Sequence, residues 1–443
     1  MTIQEGESLP EPQVAVSAST NPWAHGAEAA DAGDELLLNP DTNSSLGAYT
    51  KESWRKIKSG QSGMLPIIFG LIVLVIFFQT KNSLFLSVGN LTNLLTQASY
   101  LIVFGFAEIW VLLLGEIDLS AGYNGAIAGG VMAVLAGSHH NFPWWLAILC
   151  GLFTSTVIAM VVGGLVIRLR IPSFIVSLAF LLGLEGVLLK VVNLDNYQGS
   201  VSILNGPLLD LVDGNLSPIA GWVMTIAIVA VFAVLTILSD RRRRRSGSIA
   251  VPPAVTIIKI VGVAAAGLAL VLICNANRGV LEPVRGIPYC VPIVLGILVA
   301  WTFVLNRTRF GRYIYAIGGN AEAARRAGVS LGFNRLWAFA LTGLTAGAAG
   351  ILYTSRLGGS SNDIDGGQLV LLAVAAAVIG GVSLFGGRGK MVHALIGGMV
   401  IATIYNGMGL IGLDAATQDI VIGLVLLAAV SVEAISRRGQ SRA

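Results

Sequence analysis

A succession of long apolar runs constrains this chain more than any other feature. From Met64 onward they fall near residues 64–80, 94–114, 121–137, 144–167, 173–192, 219–238, 255–274, 289–305, 336–353, 368–384, 391–411 and 417–435. About 20 apolar residues suffice to cross hydrocarbon as a helix. In lipid each segment must satisfy its own backbone hydrogen bonds, and these runs are continuous rather than alternating, so barrel strands are excluded. The expected fold is all-α: a polytopic transmembrane helical bundle of about 12 apolar segments, roughly 10–12 of them true spans. Gly-rich boundaries such as Gly115 to Gly130 suit broken or re-entrant helices. With 12% charged residues and a mean hydropathy of +0.78, against roughly 25% charged in soluble proteins, an ordinary soluble enzyme, a disordered regulator and a nucleic-acid binder are excluded.

Loop charge sets the expected orientation. With a cytosolic N-terminus, 22 Lys and Arg residues fall in inside loops and five outside: Lys81, Lys190, Arg278, Arg285 and Arg356. Lys259 sits a turn inside the seventh run and snorkels to the interface. That asymmetry places both termini in the cytosol. The run Arg241 to Arg245 directly follows a span, which reads as a positive-inside anchor before it reads as a nucleic-acid or lipid patch. Residues 1–60 form an acidic tail, expected to be disordered and cytosolic: residues 1–50 hold eight acidic residues and no Lys or Arg. They lack the basic and apolar regions of a signal peptide. Residues 61–438 are then the transmembrane domain. Cys150, Cys274 and Cys290 lie in or beside apolar runs, in no metal or disulfide spacing.

Nothing in the chain suggests its own energy source. The fragment from Gly386 to Met391 lacks the first glycine of a P-loop and has Met where Ser or Thr would hold magnesium. His25, His139, His140 and His393 form no HExxH and no metal cluster. The expectation is a transport subunit that is not an enzyme and binds no cofactor or metal.

Within the loop 306–335, the stretch Ala316 to Ser330 encodes a short bounded helix. Asn320 is its N-cap and Glu322 sits in the first turn. Arg325 and Arg326 complement the negative C-terminal end, and Gly328 suits the left-handed position beyond it. Ala321, Ala323, Ala324 and Ala327 offer a small, close-packing face. So short a helix needs a docking surface. It lacks the large apolar anchors of an interfacial helix, so another protein is the expected partner.

Charged groups within the membrane are functional candidates. Glu108, Glu116, Asp118 and Glu185 are the clearest, with Asn124 and Asn406 as polar candidates along a path. Asp118 and Ser120 have a structural alternative as N-caps of the third span. For Glu185 an interhelical hydrogen bond competes equally.

At this point a resemblance becomes specific. The 306–335 loop resembles the coupling loop of bacterial ABC-importer permeases for monosaccharides, the family of ribose, galactose and xylose permeases. Gly115-Glu-Ile-Asp-Leu-Ser-Ala-Gly122 resembles that family's Gly-Ile-Asp-Leu-Ser-Val-Gly. Arg170-Ile-Pro-Ser-Phe-Ile-Val176 resembles its Pro-Ser/Thr-Phe-Ile-Ala-Thr. Residues Ala377 to Gly389 resemble its Gly-Gly-Thr-Ser-Leu-Phe-Gly-Gly signature. The likeness covers about residues 60–438. Val370, Leu371 and Leu372 replace the Glu-Leu-Asp of ribose-type members, and Glu116 replaces a frequent glycine. The extra pair of spans around the arginine run, with Arg278 to Pro288 after it, is similar to the longer xylose permeases. The two Gly-rich signatures also match each other at an offset of 265, with Gly115 on Gly380, Leu119 on Leu384 and Gly122 on Gly387, a hint of internal duplication.

The resemblance implies a multi-pass permease of the bacterial cytoplasmic membrane, importing a monosaccharide with D-xylose or a similar pentose or hexose first in line. It implies a separate cytosolic ATP-binding subunit that holds ATP and Mg and is contacted through Gly319, Asn320, Glu322, Ala323, Ala324, Arg325 and Gly328. It further implies an extracytoplasmic sugar-binding protein, touching the 193–218 loop, and a second copy of this chain. Membrane lipid is a partner and nucleic acid is not. The competing readings are a proton- or sodium-coupled secondary transporter, which would use carboxylates such as Glu108 and Asp118, and a passive channel.

Overall fold

In a bilayer the lipid tails are as apolar as leucine, so helices hold together through close packing and interhelical hydrogen bonds. The computed structural model shows both. It describes residues 65–137, 140–194, 199–245, 253–279 and 282–440; the acidic tail lies outside them. The elements in order are α1 (Leu65–Lys81), α2 (Val88–Leu112), α3 (Ala121–Ala136), α4 (Trp144–Leu169), α5 (Ser173–Val192), β1 (Ser200–Ser202), α6 (Gly206–Asp213), α7 (Pro218–Arg245), α8 (Pro253–Asn275), α9 (Cys290–Arg307), α10 (Arg309–Gly319), α11 (Ala321–Arg326), α12 (Leu331–Leu357), β2 (Gly359–Ser361), α13 (Gly366–Ile379), α14 (Met391–Leu410) and α15 (Ala415–Gln440). Among the described residues, α2, α4, α5, α7, α8, α9, α12 and α14 are the eight helices long and apolar enough to cross a membrane, and four shorter apolar helices accompany them in α1, α3, α13 and α15.

The chain divides into two compact units. In the smaller, described over residues 231–245 and 253–261, the end of α7 and the start of α8 are joined by the Thr256 hydroxyl donating to the Asp240 carboxylate. The larger unit is organised around α2, which is buried along most of its length and carries the fully buried Trp110. α3 packs on α12 through Gly125 and Gly129 against Ala346, Gly350 and Thr354, where a Cβ on Gly350 would overlap the Gly125 carbonyl oxygen. That spacing of small residues lets two backbones approach and disperse along their length. Outward faces such as Phe69, Ile72, Ile76 and Phe77 of α1 are exposed and apolar, as lipid contact requires.

The expected helical class holds, with one short antiparallel pair, β1 and β2, Ser200 opposite Ser361. Two expectations are corrected. The apolar run 368–384 is helical only to Ile379. Beyond it glycines turn the chain, with Gly381, Gly386 and Gly387 at positive φ, a conformation open chiefly to glycine. The 306–335 segment holds two helices rather than one. The additional α10 buries Gly311, Ile314 and Ile317 and is capped by the Thr308 hydroxyl, which accepts from the Gly311 N–H.

Candidate functional site

Four stretches far apart in sequence meet at one end of the larger unit. The loop between α2 and α3 carries Gly115 at φ 77°, and the Gly387 N–H donates to the Leu113 carbonyl at 2.9 Å. Gly318, near the end of α10, lies so close to Leu113 and Gly387 that a side chain there would strike both. The Tyr315 hydroxyl donates to the Gly389 carbonyl at 2.7 Å. On the other side the Ile117 N–H donates to the Ser173 hydroxyl at 3.2 Å, and the Arg335 Nε lies 3.0 Å from the Glu116 carboxylate. The α2–α3 loop is thus a hub joining the start of α5, the helices α10 and α12, and the glycine turn after α13.

On this hub sits α11. The Asn320 side chain accepts from the Ala323 N–H at 2.9 Å, the expected N-cap. At the other end Val329 N–H donates to the Ala324 carbonyl and Gly328 N–H to the Arg325 carbonyl, both at 3.0 Å, with Gly328 at φ 83°. That pair of bonds is a Schellman closure. Two details differ from expectation. Arg325 and Arg326 fold back onto Glu322, at 2.8 and 3.2 Å, because a carboxylate one turn away attracts a guanidinium more strongly than the helix end does. These ion pairs hold the Glu322 carboxyl below its ordinary value. The alanines do not form one packing face either. Ala324 is buried and Ala321 half-buried, whereas Ala323 and Ala327 are exposed beside Gly319, Asn320, Glu322, Arg325 and Gly328. α11 therefore grips its own chain by one edge and offers the rest outward.

Next to α11 a cleft of about 830 Å³ is lined by Glu116, Arg170, Ser173, Arg325 and Arg335 among others. Burial raises the Glu116 carboxyl above its ordinary value, while Arg335 and the Ser173 hydroxyl pull it back down.

The other expected path residues are scattered. Glu108 and Asp118 are fully buried, and neither Glu108 oxygen has a hydrogen-bond partner among the described residues. Ser120 stands at the start of α3 but makes no side-chain cap; its hydroxyl and N–H donate instead to the Asp118 carboxylate. Asn124 donates to the Ser155 carbonyl at 3.0 Å, and Ser155 donates to the Gly343 carbonyl, which ties α3, α4 and α12. Asn406 and Asn90 exchange hydrogen bonds at 2.9 and 3.0 Å across α14 and α2. Glu185 is not deep in the bundle. It is exposed on α5 and hydrogen-bonds Tyr123 of α3, an interhelical bond at the perimeter.

The family described as branched-chain amino acid transport system, permease component, matches residues 90–430. The chain belongs to this family. The permease is 32% identical over 394 residues to the xylose transport system permease protein of Escherichia coli K12, covering 89% of this chain and 97% of the relative. It is 30% identical over 366 residues to the ribose import permease protein of the same strain, covering 83% and 92%, and 27% identical over 395 residues to its D-allose transport system permease protein, covering 85% and 97%. No solved structure matches the permease. With eight helices among the described residues long and apolar enough to cross a membrane, it is a multi-pass membrane protein, and its resemblance to the xylose-type permeases holds.

The sequence reading missed a second polar group in the permease. Gln368 donates to the Asp419 carboxylate at 2.6 Å and bonds the Tyr405 hydroxyl, and the Tyr100 and Tyr353 rings lie 4.8 Å apart. The signal was Asp365, whose side chain accepts from the Gln368 N–H at 2.9 Å: an Asp followed three residues later by Gln at the head of an apolar run is a capping pattern.

Proposed function

We propose that this chain is the transmembrane subunit of an ATP-driven ABC importer of the bacterial cytoplasmic membrane, carrying a monosaccharide, D-xylose or a similar pentose or hexose, into the cell. The observation that carries the reading is α11, a helix capped at both ends, seated on the hub where the four family-like stretches meet and exposed along Gly319, Asn320, Glu322, Ala323, Arg325 and Gly328. The ATP-binding subunit docks there and holds the ATP and Mg; this chain supplies no catalytic group. The 22-to-5 distribution of Lys and Arg supports 10–12 spans with both termini and the α10–α11 segment in the cytosol. Residues 61–438 form the membrane domain and residues 1–60 a cytosolic tail.

On the opposite side α6 buries Leu208 and Val212 and exposes Asp210 and Asp213, which suits a sugar-binding protein that delivers substrate. The relatives' names favour a sugar over an amino acid. The tyrosines and the Gln368–Asp419 pair fit the same substrate, because a sugar presents an apolar face to a ring and hydroxyls to carboxylates and carboxamides. Two copies form the pathway and alternate access by rigid-body movement. Glu108, Asp118 and Ser120 remain its candidate inner lining. Those buried carboxylates are also what a proton-coupled transporter would use, so the test must separate the two. The tagged chain is purified from its native host in mild detergent, and uptake is measured in vesicles. Co-purification of an ATP-binding subunit, lost in Gly328→Val, supports import driven by ATP. Uptake by this chain alone, abolished by an ionophore, overturns it.

A further inference from the structure

The cleft beside α11 carries two guanidinium groups, Arg170 and Arg335, that lie outside the proposed docking surface of α11. Three guanidinium groups, Arg170, Arg325 and Arg335, line it against one carboxylate, Glu116. Glu116 holds Arg335 at 3.0 Å and Glu322 holds Arg325 at 2.8 Å. Arg170 has no hydrogen-bond or ion-pair partner among the described residues. It closes α4 in a left-handed conformation, φ 57° and ψ 32°, which residues other than glycine adopt sparingly and which clusters at functional sites. An apolar side chain lines the same cleft: Phe174 is 50% exposed, and Leu169, next to Arg170 in sequence, is 56% exposed.

A basic hollow with an apolar flank matches a ligand with an anionic head and apolar tails. In the orientation proposed above, on which this inference rests, the cleft lies at the level of the cytosolic headgroups, where anionic lipid is concentrated. We propose that it seats the phosphate of an anionic phospholipid headgroup, held chiefly by Arg170 with Arg335 and Arg325 at its sides. A phosphodiester matches the planar fork of a guanidinium, and the acyl chains run along Phe174 and Leu169. The occupant would join the α4–α5 connection to α11 and the first turn of α12, so lipid composition would bear on the docking helix.

The test titrates the purified full-length chain with phosphatidylglycerol, phosphatidylcholine or sodium phosphate, reading the thermal midpoint and the lipid retained in native mass spectrometry. Phosphatidylglycerol is expected to protect more than phosphatidylcholine. Arg170→Asn, which tolerates the left-handed backbone, is expected to weaken that preference about fivefold. Glu116→Gln frees Arg335 and is expected to strengthen it, a gain that a merely structural role would not produce. Equal protection by both lipids, an undiminished preference in Arg170→Asn, or equal protection by sodium phosphate at the same concentration would each overturn the lipid site. Orientation is tested separately with Arg168→Cys. Labelling only in inside-out vesicles supports it, whereas labelling from the outer side overturns the import topology and the cytosolic headgroup together. Failure of the titration alone leaves the import reading standing.

Discussion

The Arg335 Nε lies 3.0 Å from the Glu116 carboxylate as an ion pair, across a gap of more than two hundred residues in sequence, and so ties the α2–α3 loop to the start of α12. Glu116 is nearly buried while the Arg335 side chain is 32% exposed, so losing the arginine strands a carboxylate that water reaches poorly. Breaking a fully buried pair costs about 3–5 kcal/mol; with solvent screening on the arginine side, Arg335→Gln is expected to cost about 1–2 kcal/mol. The pH dependence follows from the same pair. Burial raises the Glu116 carboxyl above 4.5 and Arg335 lowers it again, so Arg335→Gln raises it further. An acid with a higher pKa folded than unfolded stabilises less as pH rises between the two values. The deficit of Arg335→Gln in thermal midpoint should therefore be small near about pH 5 and grow toward about pH 8. A deficit independent of pH would detach it from this ion pair.

Gly328→Val is expected to silence transport without dismantling the membrane fold. Gly328 sits at φ 83° with no neighbouring atom within 4 Å of a Cβ, so the penalty is conformational and local. A left-handed non-glycine residue costs about 1–2 kcal/mol, more for a β-branched one, and a tenfold change in population needs only about 1.4 kcal/mol. A six-residue helix has no reserve against that. Glu322→Lys removes the partner of both Arg325 and Arg326 and leaves three like charges on one exposed turn. In both variants ATP-driven sugar uptake should fall while the thermal midpoint of the purified chain stays near wild type. Normal uptake in both would remove α11 from the coupling path.

Much of this was legible because the decisive rules are local. Asn320 and Gly328 stand where cap chemistry requires them, and each apolar run demanded a helix whatever it packed against. What escaped notice depended on tertiary position. Phe310, Ile314 and Ile317 have helical spacing, but their short run sits between charged residues, and only its burial distinguishes it from a loop. Asn124, Asn406 and Glu185 looked alike as polar groups in apolar runs. Only the fold shows that the first two are consumed by helix–helix hydrogen bonds and that the third faces outward. The strands β1 and β2 are three residues each, too short to carry a period. The two Gly-rich signatures, similar at an offset of 265, touch each other where Gly115 lies against Phe385 and Gly386, a relation that similarity alone did not contain.

Packing of α3 on α12 gives a stability test that does not depend on function. A methyl on Gly350 would overlap the Gly125 carbonyl oxygen, and since both atoms belong to helix backbones, relief requires the helices to part. Overpacking of this kind costs about 1–3 kcal/mol, so Gly350→Ala should lower the thermal midpoint in detergent. Gly164 on α4 has nothing within 4 Å of its Cβ position, and Gly164→Ala should be neutral or stabilise by up to about 1 kcal/mol. Equal effects from the two substitutions would contradict the close α3–α12 contact.

Glu108 separates the ATP-driven reading from its rival most directly. It is fully buried in α2, and neither carboxylate oxygen has a hydrogen-bond partner among the described residues, which is the setting in which an ion-coupled transporter would exchange a proton. A subunit driven by a partner's ATP has no need of a titrating group there. Glu108→Gln keeps the volume and removes the charge. Vesicles that hold this variant with its ATP-binding partner should retain ATP-dependent uptake and should not respond to an ionophore. Uptake that disappears in Glu108→Gln while the assembly and its ATP hydrolysis persist would mean that the carboxylate itself carries coupling, and the proton-driven mechanism would then take precedence.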